Sequence, residues 1–461
     1  MAGASILSIC KFESLVERGL CSEATVSALN SLGYSNLTAV QLQALPRLLT
    51  KENCYIHART GSGKTLAFLI PTIERLKAMK FKDSHGVGAL IISPTRELAL
   101  QTAKLLQPLA EAHGFSSMTF IGGTKVKDNF EKGAIIVIGT PGKLRKVLKH
   151  KHANHLSLKK LRVLVLDEAD KLLDDGDHTD HLRTIYSHLP KEKLQKILVS
   201  ATITDKSMQL ATVVLQESSF KILTTETKSV PTTKQIKQNY LLVEAGDRLA
   251  MLITVLKTLR KKKVLVFFNS GHSVKFHHKL LLHFDLPVLQ CVGQDKQGTR
   301  SNAYSMFWES KRSILLATGI AERGWDIPGV QWIILYDPPH KSEDYFHRIG
   351  RTGRGDGQTG QALLFLRPEE EKFIKVLQGL NVEINQLEFE GDLMSIHNKV
   401  ISLVDEKTDI YDKAKVAYKK FVRAYQCHML KEIFSIECLD LNQVCKSFGF
   451  LKPPVELYQL K

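Results

Sequence analysis

Ala58, Arg59, Thr60, Gly61, Ser62, Gly63, Lys64 and Thr65 put two glycines, a lysine and a hydroxyl in the order and spacing of a phosphate loop. The octet follows the apolar run Cys54–Ala58 and opens a helical pattern at Leu66, Phe68 and Leu69. Glycines let the backbone curl so that its amides converge on phosphate oxygens, and the helix behind adds the positive end of its dipole. Lys64 would neutralise β- and γ-phosphates, and Thr65 would ligate Mg²⁺. Ala58 stands where the strict pattern starts with glycine. A second apolar run, Val163–Leu166, ends in Asp167 and Glu168, followed by Ala169 and Asp170. Here Asp167 could hold the Mg²⁺ through water, and Glu168 could polarise an attacking water. Taken alone, the same carboxylates also suit an ordinary acidic helix N-terminus.

Both groups of residues sit at the ends of short Val/Ile/Leu-rich runs, the expected place for sites in α/β folds. Further runs are Ala89–Ser93, Thr119–Ile121, Ile135–Ile138 and Ile197–Ser200. A second series comprises Tyr240–Val243, Val264–Phe268, Val288–Val292, Ile314–Ala317, Trp332–Leu335 and Ala362–Leu366. Most lack alternation, as parallel strands covered on both faces do. Helix-like segments between them predict right-handed βαβ units in two series. The polar, Thr-rich stretch 223–238, with Pro231, reads as a linker. The expected domains are therefore 12–222, a linker 223–238, 239–378 and a helical extension 379–461. In the extension, 412–434 reads as a helix with Ala414, Ala417, Tyr418, Phe421, Tyr425 and Met429 on one side. Lys413, Lys415, Lys419, Lys420 and Arg423 cover much of the rest, and Gly449 stops a last short helix.

Lys and Arg total 64 against 47 Asp and Glu, a net charge of +17. That favours a polyanion as partner, nucleic acid before membrane, because no basic amphipathic segment dominates. The 461 residues are 43% apolar and 24% charged, which excludes a wholly disordered, collagenous or fibrous chain. Seven scattered cysteines contain no C-x-x-C pair, arguing against a zinc knuckle or redox dithiol and for a reducing compartment. No run approaches the roughly 18 apolar residues of a membrane span, and the N-terminal apolar run is too short for a signal peptide. A soluble, intracellular protein is expected.

With its motifs in order from about residue 12 to about residue 366, the chain resembles a DEAD-box ATP-dependent RNA helicase. Asp167–Asp170 spell the family's name. The resemblance implies two tandem RecA-like parallel-sheet lobes with a small helical C-terminal extension. Gly33, Tyr34, Thr38 and Gln41 resemble the adenine-recognising Q motif. By it Gln41 would read the adenine edge, and Phe12 or Tyr34 would pack near the base. Pro94, Thr95, Arg96, Gly122, Gly123, Thr140, Pro141, Gly142 and Lys143 resemble first-lobe RNA contacts, with Lys143 where arginine is usual. Ser200, Ala201 and Thr202, with Asp170 and His347, resemble the groups that couple hydrolysis to unwinding. Asn269, Ser270, Gln297, Arg300 and Thr318 resemble second-lobe RNA motifs. The segment 347–354 is nearly the family form of the last motif, which implies Arg351 and Arg354 as arginine fingers and Asp326 near the ribose. For Arg348 a salt-bridge network is an equal alternative.

Four positions depart from the family pattern: Gly319 for Asp, Glu322 for Ala, Trp325 for a small aliphatic residue and Val292 for His. Gly319 either lacks an acceptor that would order its loop or serves a left-handed backbone. From Ala417 to Phe450 the chain is similar to the extension of nucleolar DEAD-box helicases of ribosome assembly, nearest the Has-type subgroup. The resemblance implies ATP and Mg²⁺ as cofactors, pre-rRNA and pre-ribosomal proteins as partners, a monomer, and the nucleolus. Two alternatives are an ATP-dependent RNA clamp or scaffold with little turnover, and a DNA helicase.

Overall fold

The computed structural model describes residues 11–454 except 59–60, 124–132, 150–155, 175, 191–192, 204, 216–219, 225–234, 323–324, 326, 354–358, 390 and 392. Arg59, Thr60, Asp326, Arg354 and Pro231 therefore lie outside the described residues. The chain forms two compact units, Met1–Lys228 and Ser229–Lys461.

The first unit holds strands β1 (Cys54–His57), β2 (Ala89–Ile92), β3 (Ser117–Phe120), β4 (Ile136–Gly139), β5 (Val163–Leu166), β6 (Gln195–Ser200) and β7 (Lys221–Thr224). They make a parallel sheet in the order β3-β4-β2-β5-β6-β1-β7. The second unit holds β8 (Ile236–Leu242), β9 (Lys263–Phe267), β10 (Val288–Cys291), β11 (Ser313–Ala317), β12 (Trp332–Leu335), β13 (Gly360–Leu366) and β14 (Asn385–Gln386). Its parallel order is β10-β11-β9-β12-β13-β8-β14. Each unit thus places its own third, fourth, second, fifth, sixth, first and seventh strands side by side. The two halves share one topology without a visible sequence repeat. Strands β2, β4, β5, β9 and β11 are buried along their whole length, which is why they read as unbroken apolar runs.

The expected linker 223–238 is too long at both ends. Leu223 and Thr224 close β7 beside β1, and Ile236, Lys237 and Gln238 open β8 beside β13. Nor does the second sheet stop at 378, since Asn385 and Gln386 pair with Asn239 and Tyr240. The expected helix 412–434 runs instead from Thr408 to Gln426. Beyond that turn Met429 is exposed rather than on the apolar side. Of the basic residues expected around it, Lys419 and Lys420 are half-buried, while Lys413, Lys415 and Arg423 are exposed.

The extension and the second sheet share one apolar core. Val400, Ile410, Tyr418, Phe421, Phe434 and Phe448 belong to the same cluster as Val264, Leu315 and Phe365. Phe448 sits 5.6 Å from Phe276 and 5.8 Å from both Tyr418 and Phe421, centroid to centroid. His277 is buried among Phe268, Phe276, Tyr336 and Phe448, and its Nδ1–H donates to the Ser273 carbonyl at 2.7 Å. Burial pushes its pKa down to about 4. The unfolded chain therefore binds one more proton than the folded chain between about pH 6.5 and pH 4, so this group's contribution is lost as pH falls through that window. We expect His277→Phe to gain stability relative to the parent by up to about 3 kcal/mol between pH 7 and pH 4. Urea unfolding of both proteins across that range checks it.

Candidate functional site

The phosphate-loop residues stand at the end of β1, where the Ala58 amide donates to the Ser200 carbonyl at 3.2 Å. Gly61 and Gly63 adopt φ of 78° and 91°, and Gly63 caps the helix Lys64–Ala78. A Cβ on Gly63 would fall 2.6 Å from Gln41 Nε2 and 2.9 Å from Thr38 Oγ1, so backbone conformation and space both demand glycine there. Gln41 is buried, takes the Thr38 amide at 2.9 Å on Oε1, and donates Nε2–H to the Gly63 carbonyl at 3.1 Å. One amide donor and one lone pair remain, the pair that complements an adenine edge. Lys64 Nζ donates to the Ala58 carbonyl. Ser62 and Thr65 are partly exposed beside it. Phe12 is fully buried in the first unit's core, and Tyr34 is the exposed aromatic of the pair.

At the end of β5, Asp167 is buried, and burial together with the neighbouring Glu168 charge raises its carboxyl well above the usual range, opposed by the Lys64 charge. Glu168 occupies a left-handed backbone, φ 47°, unusual for a residue with a Cβ. Its Oε2 is buried with no hydrogen-bond partner among the described residues. Its amide donates to Asp167 Oδ1 at 3.0 Å. Asp170 Oδ2 accepts from Thr202 Oγ at 3.1 Å, joining the end of β5 to the loop after β6. In that loop Ser200 Oγ donates to the Thr202 carbonyl at 2.7 Å and Ala201 is half-buried. Tyr55 adds a contact that sequence reading missed. From within β1 its hydroxyl reaches Ser207 Oγ at 2.9 Å and donates to the Thr202 carbonyl at 3.3 Å. The signal was available, because a tyrosine in the apolar run Cys54–Ala58 must find a partner for its hydroxyl once buried.

The sheet order places phosphate chemistry after β5, β6 and β1 and the other first-unit motifs after β3, β4 and β2, the neighbouring three strands. Pro94 is buried, and Thr95 caps the helix Arg96–Glu111, accepting the Leu98 amide at 3.3 Å. Thr140 opens the helix Pro141–Leu148, which contains Gly142 and Lys143. Cross-links hold these loops together, from the Ser93 amide to the Gly139 carbonyl and from the Thr140 amide to the Phe120 carbonyl, both 3.0 Å. Arg96 lies so close to Gly122 that a Cβ there would sit 2.7 Å from its guanidinium; Gly123 follows with φ 81°. Two helix N-termini and a cation at one sheet end suit a sugar–phosphate backbone.

In the second unit Arg348 stands in a buried salt-bridge network. It is buried, bonds Glu322 Oε2 at 3.1 Å, and donates to the Asp337 carbonyl and Asn269 Oδ1, both at 3.0 Å. Asn269 also donates its amide to Asp337 Oδ2 at 2.9 Å and Nδ2–H to the Pro338 carbonyl at 2.7 Å. The side chains of Ser270 and Arg300 are buried, and Thr318 is partly exposed. Arg351 is buried, donating to the carbonyls of Trp325 at 2.7 Å and His347 at 3.2 Å. His347 is buried beside it. Trp325 fills core space against Tyr304 at 5.0 Å, and Val292 is also core.

Gly319 does not take a positive φ, so the left-handed reading of it fails. A Cβ there would meet Glu322 Oε2 at 3.3 Å. Glu322 therefore places its carboxylate beside the very position where the family pattern has Asp. Glu322→Ala should destabilise the second unit by about 3–5 kcal/mol, because it leaves the Arg348 charge buried and unpaired. Gly319→Asp alone should also destabilise, through like charge, yet the double substitution should recover part of the loss. A denaturant-unfolding cycle of the four proteins reads that coupling.

Residues 38–210 match the DEAD/DEAH box helicase family, 247–356 the helicase conserved C-terminal domain, and 407–456 the ATP-dependent rRNA helicase SPB4-like C-terminal extension. The ATP-dependent RNA helicase has-1 of Neurospora crassa is 39% identical over 437 residues, covering 94% of this chain and 75% of the relative. This chain belongs to the DEAD-box ATP-dependent RNA helicases. The HAS1 helicase of Kluyveromyces lactis is 40% identical to this DEAD-box chain, covering 94% of it and 87% of the relative. Among solved structures, Mss116p bound to ssRNA and AMP-PNP matches with a TM-score of 0.87 and 26% identity, over 98% of this chain and 93% of that one. Among the described residues of this helicase, no helix is long and apolar enough to cross a membrane.

Proposed function

We propose that this DEAD-box helicase binds RNA and couples ATP hydrolysis to local unwinding of short duplexes, or to remodelling of RNA–protein complexes, in pre-rRNA processing in the nucleolus. The observation that carries the reading is the Asp170–Thr202 bond. It ties the strand end bearing Asp167 and Glu168 to the loop after β6. Lys64, with Ser62 and Gly63, cradles the phosphates. Glu168 activates water, and Arg351 and Arg354 stabilise charge on the transferring phosphoryl. Gln41 reads the base with its remaining donor and acceptor.

Mg²⁺ suits the first unit, because burial and the neighbouring Glu168 and Asp170 charges raise the Asp167 carboxyl despite the opposing Lys64 charge, and Glu168 Oε2 is buried with no hydrogen-bond partner among the described residues. No cluster of three or more His, Cys, Asp or Glu with metal-holding geometry occurs among the described residues, and Mg²⁺ commonly uses one or two protein ligands plus phosphate oxygens. Thr65 and Asp167 would hold it. When bound there, Mg²⁺ would supply positive charge to the phosphate oxygens.

The match of 407–456 to the ATP-dependent rRNA helicase SPB4-like C-terminal extension supports the ribosomal assignment. Pre-rRNA and pre-ribosomal proteins are the proposed partners, and a monomer the proposed state. The test is phosphate release from ATP by the full chain with RNA or DNA added. RNA should stimulate strongly and DNA little. Affinity for RNA should fall steeply with salt and vary little with base sequence. Equal stimulation by DNA would overturn the RNA assignment. Crosslinked cellular RNA lacking pre-rRNA would overturn the ribosomal one.

A further inference from the structure

One side chain of the extension hydrogen-bonds the turn that backs Asn269 and Ser270. His428 stands two residues beyond the helix Thr408–Gln426 and is buried, its ring 3.8 Å from that of Phe434. Its Nδ1 accepts the Leu430 amide at 3.2 Å. The proton of the neutral ring is thereby placed on Nε2, which donates to the Pro339 carbonyl at 3.0 Å. Pro339 belongs to the turn that follows β12, and that same turn supplies Asp337 Oδ2 and the Pro338 carbonyl to Asn269 and the Asp337 carbonyl to Arg348. Every hydrogen bond described for Asn269 thus goes to this turn or to Arg348. A small cavity lined by Asn269, Ser270, Pro338, Tyr425 and His428 lies behind the turn, whose start is held separately by Arg248, paired with Asp337 Oδ1 at 3.9 Å and donating to the Tyr336 carbonyl.

We propose that His428 is a positioning residue for RNA binding: by holding Pro339 it sets the turn that presents Asn269 and Ser270. The idea rests on the reading of Asn269–Ser270 as an RNA motif. Burial also holds the imidazole neutral, its pKa pushed down to about 4, so the clamp persists throughout the physiological range. A phenylalanine would keep the ring stacking and remove the donor. A glutamine would place an N–H where Nε2 lies, whereas an asparagine falls short.

The experiment is RNA-titrated ATP hydrolysis by the full chain. His428→Phe should raise the RNA concentration for half-maximal stimulation roughly tenfold, the loss of one hydrogen bond to a buried carbonyl. The rate at saturating RNA should be kept, and His428→Gln should restore most of the affinity. Tyr425→Phe removes a different extension contact, the hydroxyl that donates to Glu370 Oε1 at 3.0 Å, and should leave the RNA requirement unchanged. If the Phe variant folds poorly, the difference between His428→Gln and His428→Asn carries the test, Asn needing more RNA. An unchanged requirement in His428→Phe, or equal values for Gln and Asn, overturns the proposal. A parent protein that RNA does not stimulate overturns instead the functional reading on which it rests.

Discussion

Glu168→Gln is expected to cut RNA-stimulated ATP hydrolysis by roughly 10²–10⁴-fold while nucleotide affinity is retained. The amide keeps the shape of the side chain but cannot draw a proton from water. The structure adds a control. Glu168 Oε2 is buried without a hydrogen-bond partner among the described residues, and its charge helps raise the Asp167 carboxyl. Removing a charge there relieves repulsion, so the variant should melt at or above the parent temperature. Lys64→Ala should behave differently and weaken nucleotide binding itself. Phosphate-release rates, nucleotide titrations and thermal melts separate these outcomes. A Gln variant that turns over at the parent rate would place water activation elsewhere.

Ending the chain at Glu406 is expected to collapse the second unit. The truncation strips Ile410, Ala414, Tyr418, Phe421, Val422, Phe434 and Phe448 from a core shared with the sheet. Burying a large apolar side chain contributes about 1.5–3 kcal/mol, so a handful exceeds the roughly 5–15 kcal/mol that holds a typical domain. The cut also removes Tyr425, whose hydroxyl donates to the fully buried Glu370, itself paired with Arg367. Soluble yield and melting temperature of the truncated chain measure the effect. An unchanged melt would mean that the extension is not part of this core.

The active strands were legible because buried parallel strands read as continuous Val, Ile and Leu, and because Asp167 and the phosphate loop sit at their ends. Strands β7 and β14 were not. Lys221–Thr224 is a mostly exposed edge strand with two apolar residues, and Asn385–Gln386 is a two-residue polar edge. Neither presents a pattern to read. Helical periodicity carried the extension helix past its end. Just past its end His428 makes a local bond with the Leu430 amide and a tertiary one with the Pro339 carbonyl, and spacing does not reveal the latter. The same holds for Glu322. In sequence it is a departure in a motif; in space it is the counter-charge of Arg348, 26 residues away. Phe12 is one of two aromatics expected near the base, and its complete burial follows from helix packing that sequence spacing alone does not orient.

The most direct test of the account is strand displacement from a short RNA duplex by the full chain with Mg²⁺, comparing ATP, no nucleotide and the Glu168→Gln variant with ATP. The account predicts displacement over many cycles with ATP, none without nucleotide, and at most a single round with the variant. A parent protein that binds the duplex in ATP but never separates its strands would contradict it and leave an RNA clamp.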